Sequence, residues 1–173
     1  MHDSVSFWAL YRRLKEDHEN VRYYVMNAEY KILAIARQIT EDGKISVMPY
    51  KRPMTKKEFF KKNDYVYDEY YGCYLCPNNQ ILKYNTTNRE GYREYKCDSR
   101  TCKNCPHRSR CTESSNYTKV VKRHVWESYK EKMEEIRHAK GMKEIYQKRK
   151  ETIERVFADA KEKHGMRYTQ YRG

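Results

Sequence analysis

Between residues 21 and 48 the hydrophobic period of the chain changes twice, and that change narrows the folds open to it. In VRYYVMNAEYKILAI (residues 21–35), Val21, Tyr23 and Val25 alternate with Arg22, Tyr24 and Met26, the two-residue period of a β-strand. Ile32, Ile35, Ala36 and Ile39 then recur at helical spacing, in a helix from about 29 to 42. Gly43 is placed to end that helix, and the apolar run at 45–48, stopped by Pro49, forms a second strand. Strand, helix, strand predicts a parallel pair. Two strands do not close a stable sheet, so this reading leaves the sheet short of partners within the chain.

An amphipathic helix precedes them, capped by Asp3 or Ser4 and facing inwards with Phe7, Leu10, Tyr11 and Leu14. The join between first strand and following helix is held by Asn27. Strand ends of this kind are where α/β proteins place catalytic side chains. A carboxylate is expected there, and an amide stands in its place.

Lys and Arg outnumber Asp and Glu by 37 to 24, for a formal charge of +13 and a pI near 9.4. A chain this basic is steered towards polyanions such as nucleic acid. Apolar residues are only 38% and there are 18 tyrosines, so aromatic rings supply much of the burial, in one domain or one domain with an insert. The amino-terminal MHDSVSFWALYRRL lacks the pattern of a signal peptide, and no run approaches the ~18 apolar residues of a membrane span. Six cysteines with no export signal imply a reducing compartment, where metal binding is favoured over disulfides. The expected location is the cytoplasm.

The stretch YKRPMTKKEFFKKN (50–63) sets Lys51, Arg52, Lys56, Lys57, Lys61 and Lys62 around Tyr50, Phe59 and Phe60. Basic residues interleaved with aromatics suit a nucleic-acid backbone and its bases; the same composition also serves as a solvated linker anchored by two phenylalanines. Two C-x2-C pairs follow, Cys73/Cys76 and Cys102/Cys105, with 25 residues between them and a predicted hairpin (80–84 with 92–96) in the gap. That layout is zinc-ribbon-like. A second set, Cys76, Cys102, Cys105 and Cys111, has the spacing seen around some iron–sulfur clusters. Either set would be structural, since no His or carboxylate at matching spacing leaves an open catalytic position.

Residues 123–164 are strongly helical. Trp126, Tyr129, Met133 and Ile136 fall on one face and, after a break near Gly141, Ile145, Arg149, Ile153, Val156, Phe157 and Ala160 form the next stripe. Glu154 lies beside that stripe with Lys150 and Lys161 on its side, whereas Glu151 turns towards solvent. A carboxylate at the edge of a core between two cations can hold a metal ion while the lysines hold phosphates. The same spacing also makes an ordinary surface ion pair.

Taken together, PYKRPMTKKEFFKK, YDEYYGCYLCPNNQILKYNTTNREGYREYK, CKNCPHRSRCT and RKETIERVFADAKEKHGMRYTQYRG closely resemble the C-terminal half of DDE transposases encoded by bacterial insertion sequences. The resemblance implies an RNase H-like core with an insert between the last strand and the helix carrying the final acid. It also implies two Mg²⁺ ions held by Asp, Asp and Glu for cleavage and joining of DNA ends. Glu154 and Lys161 match the final acid and its companion lysine. Asn27 takes the place of the second aspartate, with Glu29 a conceivable stand-in, and the first acid would precede Met1. Cys111 resembles the last member of the family's cysteine run. The preferred ligand set is therefore Cys76, Cys102, Cys105 and Cys111, with Cys73 as alternative, for Zn²⁺ or an iron–sulfur cluster.

The resulting expectation is an α/β protein in three sections. These are an incomplete RNase H-like core (1–50), a basic and cysteine-rich hairpin insert (51–122), and C-terminal helices carrying the final acid (123–173). It is a truncated transposase, inactive as it stands, or else a non-catalytic DNA-binding regulator that competes with an intact transposase. Its expected partners are DNA at transposon ends and another copy of itself or of an intact transposase, with no membrane.

Overall fold

The computed structural model describes residues 3–50 and 54–165, which fall into two compact units: residues 1–51 with 128–173, and residues 52–127. In the first, β1 (Tyr23–Val25) and β2 (Ile45–Val47) pair in parallel, with Tyr23 opposite Ile45, Tyr24 opposite Ser46 and Val25 opposite Val47. The crossover between them is α2 (Leu33–Glu41), closed by Gly43 at φ 68°. The helix starts later than its periodicity suggests. Ahead of it Ala28–Tyr30 forms a separate 3-10 turn, and Ile32 is extended.

Against this pair packs α1 (Asp3–Asp17), which brings in Phe7 and Tyr11. These rings stack at 5.1 Å, and Tyr11 meets Tyr24 edge-on at the same distance. Ile35, Ala36 and Ile39 of α2 are fully buried with them. Leu10, expected inside, is 53% exposed: Phe7, Tyr11 and Leu14 follow the i, i+4, i+7 line, and Leu10 falls off its edge.

The core is completed from far along the chain by α5 (Glu127–His138), whose Met133 is buried among these residues and whose Tyr129 packs against them. The Lys31 side chain, only 6% exposed, pairs with Glu134, which also takes a 3.0 Å bond from Arg137. Tyr129 donates to Glu41 at 3.0 Å. After Gly141 come α6 (Met142–Arg149), a π-helical turn (Lys150–Glu154) and α7 (Arg155–Lys163).

The second unit holds a five-stranded antiparallel meander in the order β3 (Val66–Asp68), β4 (Cys73–Leu75), β5 (Ile81–Thr87), β6 (Tyr92–Lys96) and β7 (Val120–His124). The predicted hairpin is β5 with β6, and its turn uses Gly91 at φ 83°. A Cβ there would meet the His124 ring at 3.0 Å. Two short helices, α3 (Ser99–Lys103) and α4 (Arg108–Cys111), fill the connection from β6 to β7. The module is thus larger than a ribbon hairpin. Val120–His124, read from sequence as the entry to the helical section, is instead its last strand, because Val121 supplies the core face of the sheet. Trp126 correspondingly precedes α5 and stands beside the His124 ring.

Two carboxyls of the first unit are held below their ordinary values. Burial opposes the charge of Asp42, but bonds from Lys15, Tyr11 and Gln38 outweigh it. Burial likewise opposes Glu134, and Lys31 and Arg137 prevail. The folded state therefore binds fewer protons than the unfolded one in the acid range. This stabilisation is present above the ordinary carboxylate range and disappears as pH falls through the lowered values. The thermal midpoint should drop as pH falls below about 4, and a chain carrying Asp42→Asn with Glu134→Gln should show a flatter acid limb by calorimetry.

Candidate active site and thiol cluster

Asn27 follows β1 and caps the 3-10 turn, its Oδ1 accepting the Glu29 N–H at 3.1 Å. The side-chain oxygen expected to face a metal is therefore engaged by the backbone. Glu29 enters the same turn through its backbone N–H.

Glu154 lies at the end of the π-helical turn, half exposed, and takes the Arg149 guanidinium at 3.4 Å. A pair five residues apart fits an i→i+5 turn. The same turn upsets the α-helical phase on which the predicted stripe depends. Ile153, Val156 and Phe157 are 45%, 67% and 55% exposed, and they belong to neither hydrophobic core. Glu154 is accordingly beside an exposed stripe, not at the edge of a buried one. Lys150 and Lys161 are exposed, and Arg149 is the cation that reaches the carboxylate. No hydrogen bond among the described residues joins Asn27 to Glu154.

In the basic stretch, Lys51 and Arg52 lie outside the described residues. Lys56 pairs with Glu113 and stands 5.0 Å from the Phe59 ring centre. Lys62 pairs at 2.9 Å with the nearly buried Glu127. Lys57 and Lys61 are exposed and hold no ion pair among the described residues. Phe60 anchors the segment: its N–H donates to the Arg110 carbonyl at 2.9 Å, and the Arg110 guanidinium covers its ring at 4.8 Å.

The second core consists of Tyr65, Tyr74, Leu82, Tyr95, Cys97 and Val121, with Cys76, Cys102 and Cys111 packed against it. Its outer cations were not singled out in sequence. The Arg123 guanidinium lies 4.1 Å from the Tyr67 ring and that of Arg108 4.2 Å from Tyr117. The Tyr65 hydroxyl is 3.1 Å from the Cys111 sulfur. Burial pushes the Cys102 thiol up to about 12, reinforced by its hydrogen bond to Cys97 and by the proximity of Cys111 and Cys105. Burial raises Cys111 too, against the Tyr65 hydrogen bond and the Lys119 charge. Among the described residues no three His, Cys, Asp or Glu side chains are close enough to enclose an ion.

The sequence profile of the transposase DDE domain matches residues 75–173, more than half of the chain. The chain belongs to that family. Members of the transposase DDE family use divalent metals such as Mg²⁺ and act on DNA. No curated protein and no solved structure matches the chain. No helix among the described residues is long and apolar enough to cross a membrane. The mixed α/β architecture, with its antiparallel sheet and helices, is compatible with the family fold.

The exposure of α7 is directly measurable. Val156→Ser with Phe157→Ser should change stability by no more than about 0.5 kcal/mol per site. Were the stripe buried as its periodicity suggests, Phe157 alone would account for about 3–5 kcal/mol. Urea denaturation of the two chains distinguishes these outcomes.

Proposed function

We propose that this chain is a transposase-derived DNA-binding protein without strand-transfer activity of its own. The observation that carries the reading is the state of Asn27: an amide in the acid's position, with its oxygen committed to a backbone N–H. Of the three acids the chemistry requires, Glu154 is the one this chain carries, and it is tied to Arg149. This donor set does not fit two Mg²⁺ ions, which favour carboxylates, so no catalytic step is derived through them. In this reading the first unit is an incomplete RNase H-like core, and residues 51–122 are the basic, cysteine-rich insert. The partners are DNA at transposon ends and other copies of itself or of an intact transposase, in the cytoplasm. Lys161 keeps its place as companion of the final acid.

The competing regulator is favoured by the exposed Lys57 and Lys61, which are available to phosphate whether or not the acids work. The cysteines of the second unit make it a candidate to bind one metal centre, zinc by the preference of four thiolates for tetrahedral geometry.

Purified chain given Mg²⁺ or Mn²⁺ and duplex ends should produce no 3′-end nicking. Loss of metal ligands of this kind removes on the order of a thousandfold in rate or more. Nicking that disappears in Glu154→Gln would overturn the reading. Binding to duplex DNA should weaken at least about tenfold between about 50 and 200 mM salt. It should weaken further when Lys57 and Lys61 are changed to Gln; a salt-independent affinity would remove DNA binding from the proposal.

A further inference from the structure

We infer that Cys97, not Cys105, completes the metal-binding set of the second unit, which is Cys76, Cys97, Cys102 and Cys111. This rests on the thiolate-metal reading above and assigns its ligands. The sequence pattern pairs Cys102 with Cys105 as a C-x2-C knuckle and treats Cys97 as an extra. The fold arranges them differently. Cys97 follows β6 two residues after Tyr95, so both side chains face the core, and it is itself a buried member of that core. Cys76, Cys102 and Cys111 pack on the same residues, whereas Cys73 and Cys105 do not. Cys73 is buried, but it precedes the core-facing Tyr74 within β4 and so lies on the opposite face of the sheet.

The hydrogen bonds agree. The Cys97 sulfur accepts the Lys119 N–H at 3.0 Å, and the Cys76 sulfur accepts the Gln80 N–H at 3.4 Å. Cys97 is also hydrogen-bonded to Cys102. Neutral thiols are weak acceptors, and backbone N–H groups aimed at sulfur favour the thiolate that a metal requires. The Cys76 knuckle is built for this. Its N–H donates to Gln80, its carbonyl accepts from Asn79 at 2.8 Å, and Asn79 takes φ 51° to turn the chain back over the sulfur. No sulfur hydrogen bond of Cys105 is seen among the described residues, and its backbone is spent within the α3–α4 turn. The four core sulfurs face one another without converging on a point, as like groups do until a cation draws them in.

The full chain, purified anaerobically with Zn²⁺, is analysed for zinc and iron. It is then alkylated with iodoacetamide before and after chelation, and the modified cysteines are mapped by mass spectrometry. One zinc per chain is expected, with Cys76, Cys97, Cys102 and Cys111 protected until chelation and Cys105 modified from the start. Co²⁺ binding, followed by its sulfur charge-transfer band, should weaken more than about 100-fold in Cys97→Ser. That loss exceeds the 10–100-fold typical of an outer-shell change. Cys105→Ser should stay within about threefold of the parent, well inside that outer-shell range. Protection of Cys105 with free reaction of Cys97 overturns the assignment but leaves the metal reading intact. A chain that binds neither zinc nor iron overturns both. If Cys97→Ser does not fold, the protection pattern of the unsubstituted chain decides alone.

Discussion

A two-stranded parallel sheet of three-residue strands cannot cover its own faces, and the first unit is organised by that deficit. α1 and α2 bury part of it. The remainder is closed by α5, which arrives about a hundred residues later in the chain. Lys31 makes this docking selective. An ammonium 6% exposed needs a charged partner, and Glu134, itself oriented by Arg137, is the group that α5 brings to it. Met133 supplies the apolar contact beside that pair, so burial and charge select the same face of the helix.

Because the closing helix comes so late, the chain between must reach stability from its own contacts. The second unit does so with few aliphatic residues. Leu82 and Val121 are the buried aliphatics of its core, and tyrosine rings make up most of the rest. Tyr74 and Tyr95 meet edge-on at 5.1 Å, and Tyr67 tilts against Tyr74 at 5.0 Å while carrying the Arg123 guanidinium. Edge-on rings and a covering cation extract more from a small core than area alone provides. Even so, a core of this size is of the kind that small modules staple with disulfides or metal, and thiols are what the chain places at its centre.

Period and punctuation made the first unit legible. The parallel pair, the crossover helix, the Gly43 stop and the break at Gly141 all followed from the sequence, as did the β5–β6 hairpin. Elsewhere a local signal was outranked. Val120–His124 holds only two apolar residues before a basic run, so its strand character depends on pairing with β6, which no local pattern records. The stripe on α7 obeys helical spacing but assumes an uninterrupted α-helix and a surface to face. The π-helical turn removes the first condition, and neither core reaches α7 to supply the second. For the cysteines, spacing along the chain favoured Cys105, but strand alternation, visible only once β6 is placed, turns Cys97 inwards. Glu154 and Asn27 were both noticed in sequence. What sequence withheld was their engagement, one by Arg149 and the other by a backbone N–H.

That engagement explains how the first unit tolerates an amide where the family's chemistry calls for an acid. Capping requires an oxygen that accepts the second N–H beyond it, and Asn and Asp do this about equally well. The turn at Ala28–Tyr30, and the entry into α2 behind it, are therefore indifferent to which is present. Metal binding is not indifferent, because the amide carries no charge to offset the desolvation of a divalent ion. Exchanging one side chain for the other leaves the packing of Tyr24, Ile35 and Met48 unchanged while removing the function the position serves in the family. A protein under selection only to fold and to hold DNA would not register that exchange. The residue on which transposition chemistry depends most is thus one that the stability of this fold does not protect.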